Sequence, residues 1–151
     1  MARMHARKRG QSGSSRPMVT ENPEWVTMTE EEIADIALSM ARDGASTAKI
    51  GLVLRDQYAV PNTKLAIGKS LTDLLKENGA APSLPEDLSN LMRKSINLNN
   101  HLKENRGDIG NKRNLQLIES KIRRLERYYK GTGVLPADWK YSSKTAELML
   151  K

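Results

Sequence analysis

The chain has 151 residues and carries 25 Lys and Arg against 18 Asp and Glu, a formal charge of +7 with a pI of about 9.7, enough length for one compact domain or two small ones. Aromatics make up only 4% and Phe is missing, so any core has to be built from Leu, Ile, Val, Met and Ala, which is the composition of helical packing. Without Cys there are no disulfides, thiolate metal sites or cysteine nucleophiles, and no 18-residue apolar run or apolar stretch behind the basic N-terminus announces a membrane span or a signal peptide.

Residues 1–22 are rich in Gly, Ser, Arg and Lys and lack periodic apolar residues, which predicts a disordered basic arm. Order is expected from near Trp25. Thr29-Glu30-Glu31-Glu32 reads as a capping box with acids at the positive end of a helix dipole. Ile33, Ile36, Ala37, Met40 and Ala41 follow at helical spacing, and Gly44 closes the helix. Ser46 caps a second helix with Ile50, Val53 and Leu54 on one face, interrupted at Val60-Pro61. A third is expected from near Asn62, burying Leu65, Leu71, Leu74 and Leu75 and stopping at Gly79. Gly79-Ala80-Ala81-Pro82 is a joint, so residues 23–80 form a small three-helix bundle.

From residue 81 the pattern lengthens. Ser83 and Glu86 are spaced as a capping box, and Leu84, Leu88, Leu91, Ser95, Leu98 and Leu102 make a heptad stripe. Gly107-Asp108-Ile109-Gly110 breaks it, and a second stripe runs through Leu115, Ile118, Ile122, Leu125 and Tyr129. Two helices of about 20 residues, each about 30 Å long, joined by so short a turn must fold back antiparallel for their stripes to meet. Residues 81–130 are therefore a long helical hairpin. Residues 131–151 form an extended tail whose Trp139 and Tyr141 lack periodic apolar neighbours and must dock on something. No segment alternates cleanly as a strand does, and the fold class is all-α.

The positive charge is segregated. Arg3, Arg7, Lys8, Arg9 and Arg16 give residues 1–16 a local +5 with no acid, and residues 101–130 hold nine Lys or Arg against four acids, another +5. The remainder sums to −3. Two basic segments on a slightly acidic chain suggest a polyanion partner, the alternative being an ordinary solvated face.

At 100° per residue the second long helix presents Leu115, Ile118, Ile122, Leu125 and Tyr129 on one side and Arg113, Leu117, Lys121, Arg124 and Tyr128 on another, with Lys112, Arg123, Arg127 and Lys130 widening the cationic side. Lys112 and Arg113 fall in its first turn, where the helix dipole disfavours cations unless a phosphate lies there. His101, Asp108 and Asn111 gather at the same end of the hairpin. Such side chains hydrogen-bond base edges and 2′-hydroxyls in the shallow RNA minor groove. Asp108 and Asn111 equally suit turn and cap roles, and His101 equally suits a solvated helix position.

Catalysis finds little support. His5 and His101 are the only histidines, and Gly44-Ala45-Ser46-Thr47-Ala48-Lys49 lacks the second Gly and the residue after Lys that a phosphate loop needs. Neither cofactor, metal nor small-molecule substrate is expected. Three short helices around Gly44 also fit a helix-turn-helix DNA-binding protein. Six basic residues against ten acids across residues 17–80 make that surface a poor one for duplex phosphates.

Blocks spread along the whole chain carry a resemblance: Arg3-Met4-His5, Ile50-Gly51-Leu52-Val53-Leu54-Arg55-Asp56, Leu84-Pro85-Glu86-Asp87-Leu88, His101-Leu102-Lys103-Glu104-Asn105-Arg106, Leu117-Ile118-Glu119-Ser120-Lys121-Ile122, Arg127-Tyr128-Tyr129-Lys130 and Val134-Leu135-Pro136. In that order they resemble the archaeal and eukaryotic form of the universal small-subunit ribosomal protein fifteen family, called thirteen in eukaryotes. The resemblance implies a cytoplasmic protein of the small ribosomal subunit that binds the central domain of its RNA at a three-way junction and a nearby minor groove. It implies neighbouring ribosomal proteins and large-subunit contacts as further partners. The family's minor-groove His and Asp correspond to His101 and Asp108, and its junction Tyr to Tyr128. Asn111 stands where bacterial members have Ser, and Ala81, Pro82 and Asp87 stand where they have Thr, Gly and Gln at the junction. Residues 1–80 correspond to the extension of archaeal and eukaryotic members.

Deleting residues 1–16 is expected to weaken RNA affinity while leaving the melting temperature of the remainder unchanged, because an unpacked arm contributes charge and few contacts. Filter binding and a thermal melt on the same truncated protein check it.

Overall fold

The computed structural model describes residues 13, 15 and 18–149, with Lys144 and Thr145 described by their backbone alone. Among the described residues there are seven helices and no strand: α1 Glu30–Arg42, α2 Thr47–Gln57, α3 Thr63–Ile67, α4 Leu71–Glu77, α5 Glu86–Glu104, α6 Ile109–Gly131 and α7 Ser143–Met149. None is long and apolar enough to cross a membrane. Two compact units meet in sequence between Ser83 and Leu84, each with its own core. The break falls after the expected 80/81 joint because Ala80 and Ala81 pack on the first core.

That first core is Ile33 and Ala37 of α1, Ile50 and Leu54 of α2, then Val60, Ile67, Leu74 and Leu75, all nearly inaccessible to solvent. Burying each large aliphatic side chain contributes about 1.5–3 kcal/mol. The capping box at α1 is formed: Thr29 donates its N–H to Glu32 Oε2 at 2.9 Å, and Glu32 N–H donates to Thr29 Oγ1 at 3.3 Å. Ser46 caps α2 by accepting from Lys49 N–H. The expected third helix is two. Gly68 adopts φ +71°, which ends α3, and Ser70 then caps α4 by accepting from Asp73 N–H. A left-handed residue stops a helix because its carbonyl no longer points along the axis. Gly-Lys-Ser-Leu-Thr-Asp is a stop followed by a start, and the bundle has four helices.

The second unit is the hairpin. Leu88 and Met92 of α5 meet Ile122 and Leu125 of α6, all four at 3% exposure or less. Met92 lies outside the strict heptad stripe. A helix packed on more than one neighbour buries a wider face than a two-stranded seam does. The expected capping box at Ser83 is absent: Pro85 is the N-cap, with no side-chain cap bond, and α5 begins at Glu86. With the cap shifted two residues along, Ser83 stands too early to reach the third helical amide.

The tail is not simply extended, since it carries α7, and it docks on the hairpin itself. Leu135 and Ala146 complete the second core, with Trp139 and Tyr141 packed against it. The Tyr141 and Ser95 hydroxyls share a hydrogen bond of 2.8 Å, which satisfies a Ser that is only 2% exposed. Tyr141 N–H donates to Glu126 Oε2 at 3.4 Å, and Lys130 Nζ donates to the other oxygen of the same carboxylate at 2.9 Å. Tyr141 lies 46 residues from Ser95 and 15 from Glu126 in sequence, so no periodicity reveals either contact.

Met92→Ala is expected to destabilise the protein by about 2–5 kcal/mol through the cavity it leaves, whereas Tyr141→Phe strands the buried Ser95 hydroxyl at a cost of about 1–3 kcal/mol. Ala59 follows α2 at φ +55°, the one non-Gly residue with positive φ among those described, so Ala59→Gly should stabilise by about 1 kcal/mol by relieving left-handed strain. Denaturant unfolding of the three variants tests all three signs.

Candidate nucleic-acid interface

The end of the hairpin is organised by one carboxylate. Asp108 is the N-cap of α6, and its Oδ1 accepts from Asn111 N–H at 2.8 Å. Its Oδ2 accepts from Asn111 Nδ2 at 2.7 Å and meets His101 Nε2, on the last turn of α5, at 3.0 Å. The backbone bond from Asn111 first, then the side-chain bonds from His101 and Asn111, hold the Asp108 carboxyl well below the usual range, at about 2. An ionised carboxylate only accepts, so His101 carries its proton on Nε2. In the neutral ring, Nδ1 is then the acceptor facing Asn105 Nδ2 at 3.3 Å. The 3.5 Å approach of Asn111 Nδ2 to His101 Nε2 is a contact between two donors that share Asp108 Oδ2. Asn114 Nδ2 extends the chain by donating to Asn111 Oδ1 at 3.0 Å.

Both sequence readings of Asp108 and Asn111 are thus compatible in one arrangement: the residues cap the helix, and capping orients them. His101 is neither deeply buried nor merely solvated, with its side chain 41% exposed and tied on both ring nitrogens. Asn105 and Asn114 were missed. Asn114 lies three residues after Asn111 and Asn105 four after His101, spacings that place each pair on one helix face.

Along α6, Lys112, Arg113, Lys121 and Arg127 are exposed, and Arg113 reaches Gln116 Oε1 at 3.3 Å. Arg124 is half-buried. Arg123 lies 3.8 Å from Glu119, a loose pair at the surface. Tyr128, 57% exposed, stands edge-to-face on Tyr129 with ring centroids 5.2 Å apart. Lys130 is turned toward Glu126 in a pair only 24% and 16% exposed, so its charge is already matched within the fold. Arg3, Arg7, Lys8, Arg9 and Arg16 lie outside the described residues.

Asp87 is already engaged. Tyr129 Oη donates to its two oxygens at 2.7 and 2.8 Å, and burial followed by this bond pushes the Tyr129 hydroxyl up to about 12. Ala81 belongs to the first core, leaving Pro82 exposed.

Comparison with known proteins agrees with this architecture. Residues 71–149 match the family model described as ribosomal protein S15, and residues 1–60 match the ribosomal S13/S15 N-terminal domain. The chain is 55% identical to small ribosomal subunit protein uS15 of Methanococcus vannielii over 151 residues, covering all of both chains. It is 52% identical over 150 residues to the protein of that name from Methanococcoides burtonii, covering 99% of each. The chain belongs to the uS15 family of ribosomal proteins. It is a structural, non-enzymatic constituent of the small subunit of the cytoplasmic ribosome, of the archaeal and eukaryotic type. The match over residues 1–60 also overturns the helix-turn-helix alternative, because those α1 and α2 helices are the S13/S15 N-terminal domain.

A carboxyl held at about 2 when folded and 3.8 when free stabilises the fold above about pH 4, and that contribution is lost as pH falls from 3.8 through 2. Asp108→Asn keeps a capping oxygen but has nothing to protonate. Its melting temperature should fall less between pH 4 and 2 than that of the parent, as followed by circular dichroism.

Proposed function

We propose that the hairpin binds the central domain of small-subunit ribosomal RNA, with His101, Asp108 and Asn111 reading a minor groove. On this reading Tyr128 lies at a neighbouring three-way junction. The observation that carries it is the Asp108 cluster, a set of oriented polar groups placed at the end of a helix whose exposed side is cationic. Lys112, Arg113, Lys121, Arg124 and Arg127 then hold phosphates, and the amides of the first turn of α6 add to the grip. A phosphate there also offsets the unfavourable placement of Lys112 and Arg113 at the positive end of the helix dipole. Lys130 is a secondary contact because Glu126 already neutralises it.

Arg3, Arg7, Lys8, Arg9 and Arg16 supply a second, arm-borne set of phosphate contacts. The acidic first unit, with ten acids to six basic residues over 17–80, serves contacts with neighbouring ribosomal proteins. With Asp87 bonded to Tyr129, the junction is met by Tyr128 and the α6 cations. Contacts across the large-subunit interface complete the set of partners the family suggests.

If about 6–10 phosphates are neutralised, affinity for a central-domain fragment drops roughly 10³- to 10⁵-fold between 50 and 200 mM salt. Arg127→Ala should weaken cognate and scrambled RNA alike and reduce the salt slope by about one unit. Asp108→Ala removes a negative charge, so pure electrostatics predicts equal or tighter binding. Groove reading predicts a loss of about 10- to 100-fold on the cognate fragment alone. Equal affinity of Asp108→Ala and the parent for both RNAs would overturn the proposal, provided a melt shows the variant folded.

A further inference from the structure

From Leu88 to Asn100, α5 carries Arg93 and Lys94 and no acid, although this stretch lies outside both segments where positive charge accumulates. At 100° per residue, Asn90, Arg93, Lys94, Asn97 and His101 share an arc of about 100°. It lies opposite the buried Leu88, Met92 and Ser95. All of the arc but His101 is exposed. Neither cation has an acid three or four residues away on the helix, and no ion pair among the described residues holds either one. Both charges therefore stay unmatched in the free protein. The arc leads into the Asp108 cluster, because His101 ends it about 10 Å from the level of Lys94 at 1.5 Å rise per residue. Lys94, Asn97 and His101 also line one open groove with Asn111 and Lys121 of α6, and no carboxylate lines it. The α5 strip thus opens on the same side of the hairpin as the cluster, with a lysine from each helix along the groove.

We propose that this face of α5, centred on Arg93 and Lys94, is a second phosphate-binding strip. It takes the backbone of the RNA held at the hairpin end, where that RNA leaves the Asp108 cluster and follows the hairpin toward its open end. This rests on the RNA-binding reading of that end and extends it from one helix to both. Unmatched cations among uncharged polar side chains, with no acid between them, suit a polyanion. Contact with a phosphate backbone asks for positive charge at the surface and reads no base, so it needs no fixed orientation of the neighbouring amides. Continuity with His101 selects the ligand: a strand that reaches the cluster lies within two helical turns of Lys94. Lys94 and Lys121 come from opposite helices, so a backbone along the groove meets positive charge on both sides.

The test uses the full-length chain and two RNA fragments that both carry the cognate minor groove, a long one that extends to the junction and a short one that ends at the groove. Arg93→Gln with Lys94→Gln should reduce the salt slope on the long fragment by about 1.8 units and leave that on the short fragment unchanged. The melting temperature of this double variant should match the parent, since both side chains are exposed and pair with no acid. The chain has no Cys, so Asn90→Cys gives a single attachment point for an iron chelate whose hydroxyl radicals cut the nearest backbone. Cuts should fall on the long fragment, on the junction side of the groove. An unchanged slope on the long fragment, or no cuts from residue 90, leaves α5 an ordinary solvated face and overturns the proposal. Polyglutamate of equal charge that binds the parent as tightly as the long fragment, and the double variant more weakly, would make the occupant an acidic protein and overturn it too. Asp108→Ala on the short fragment tests the other reading separately. Loss of cognate selectivity there, with an unchanged slope for the double variant, sinks this inference alone. The reverse pair of results leaves the strip standing and sinks the groove reading.

Discussion

The contact on which the rest of the second unit depends is the Asp108 carboxylate spanning the turn of the hairpin. It satisfies an orphan amide at the start of α6 while gripping His101 at the end of α5, so a single side chain both starts one helix and ties it to the other. The two helices can then run back along one another with Leu88 and Met92 against Ile122 and Leu125. The half-buried Asn111 and, through it, Asn114 are tied to this capping geometry. Under the proposed RNA reading, stability and recognition draw on the same atoms, which is why a melt has to accompany every binding measurement on Asp108.

Charge is arranged around that framework with a cost accepted in the free protein. Lys112 and Arg113 sit at the positive end of the α6 dipole, and the basic side of α6 has few acids to relieve it. Where relief exists it lies toward the far end, at Glu119 with Arg123 and at Glu126 with Lys130. The Glu126 carboxylate is shared with Tyr141 N–H, so it belongs to the docking of the tail as much as to charge balance. Asp87 is likewise engaged, at the surface, by the hydroxyl of Tyr129, whose ring supports Tyr128. Asp87, Asp108 and Glu126 on this hairpin serve the fold, while Lys112, Arg113, Lys121 and Arg127 stay exposed.

Periodicity made much of this legible in advance. The caps at Thr29 and Ser46, the helix start near Asn62, the two long stripes, the break at residues 107–110 and the gathering of His101, Asp108 and Asn111 all follow from spacing rules that act within a few residues. The failures have local causes as well. An apolar pattern that runs on across Gly68 and Ser70 hides the stop and start there, and the Ser83–Glu86 spacing mimics a capping box although Pro85 takes the N-cap. The helical tail escaped notice because seven residues are too few to show a stripe.

What the amino-acid order determined by itself was the all-α class, the hairpin and its basic side, because helix signals and charge counts are properties of neighbouring residues; the family came from the resemblance of whole sequence blocks. Tertiary structure alone decided where the long-range polar partners fall: Tyr141 on Ser95, Tyr129 on Asp87, and the tail on the hairpin core. It also decided that Lys130 turns to Glu126 and that residues of α5 and α6 line an open groove between them. Such pairings join residues tens of positions apart or depend on how two helix faces meet, and a one-dimensional pattern carries no term for either.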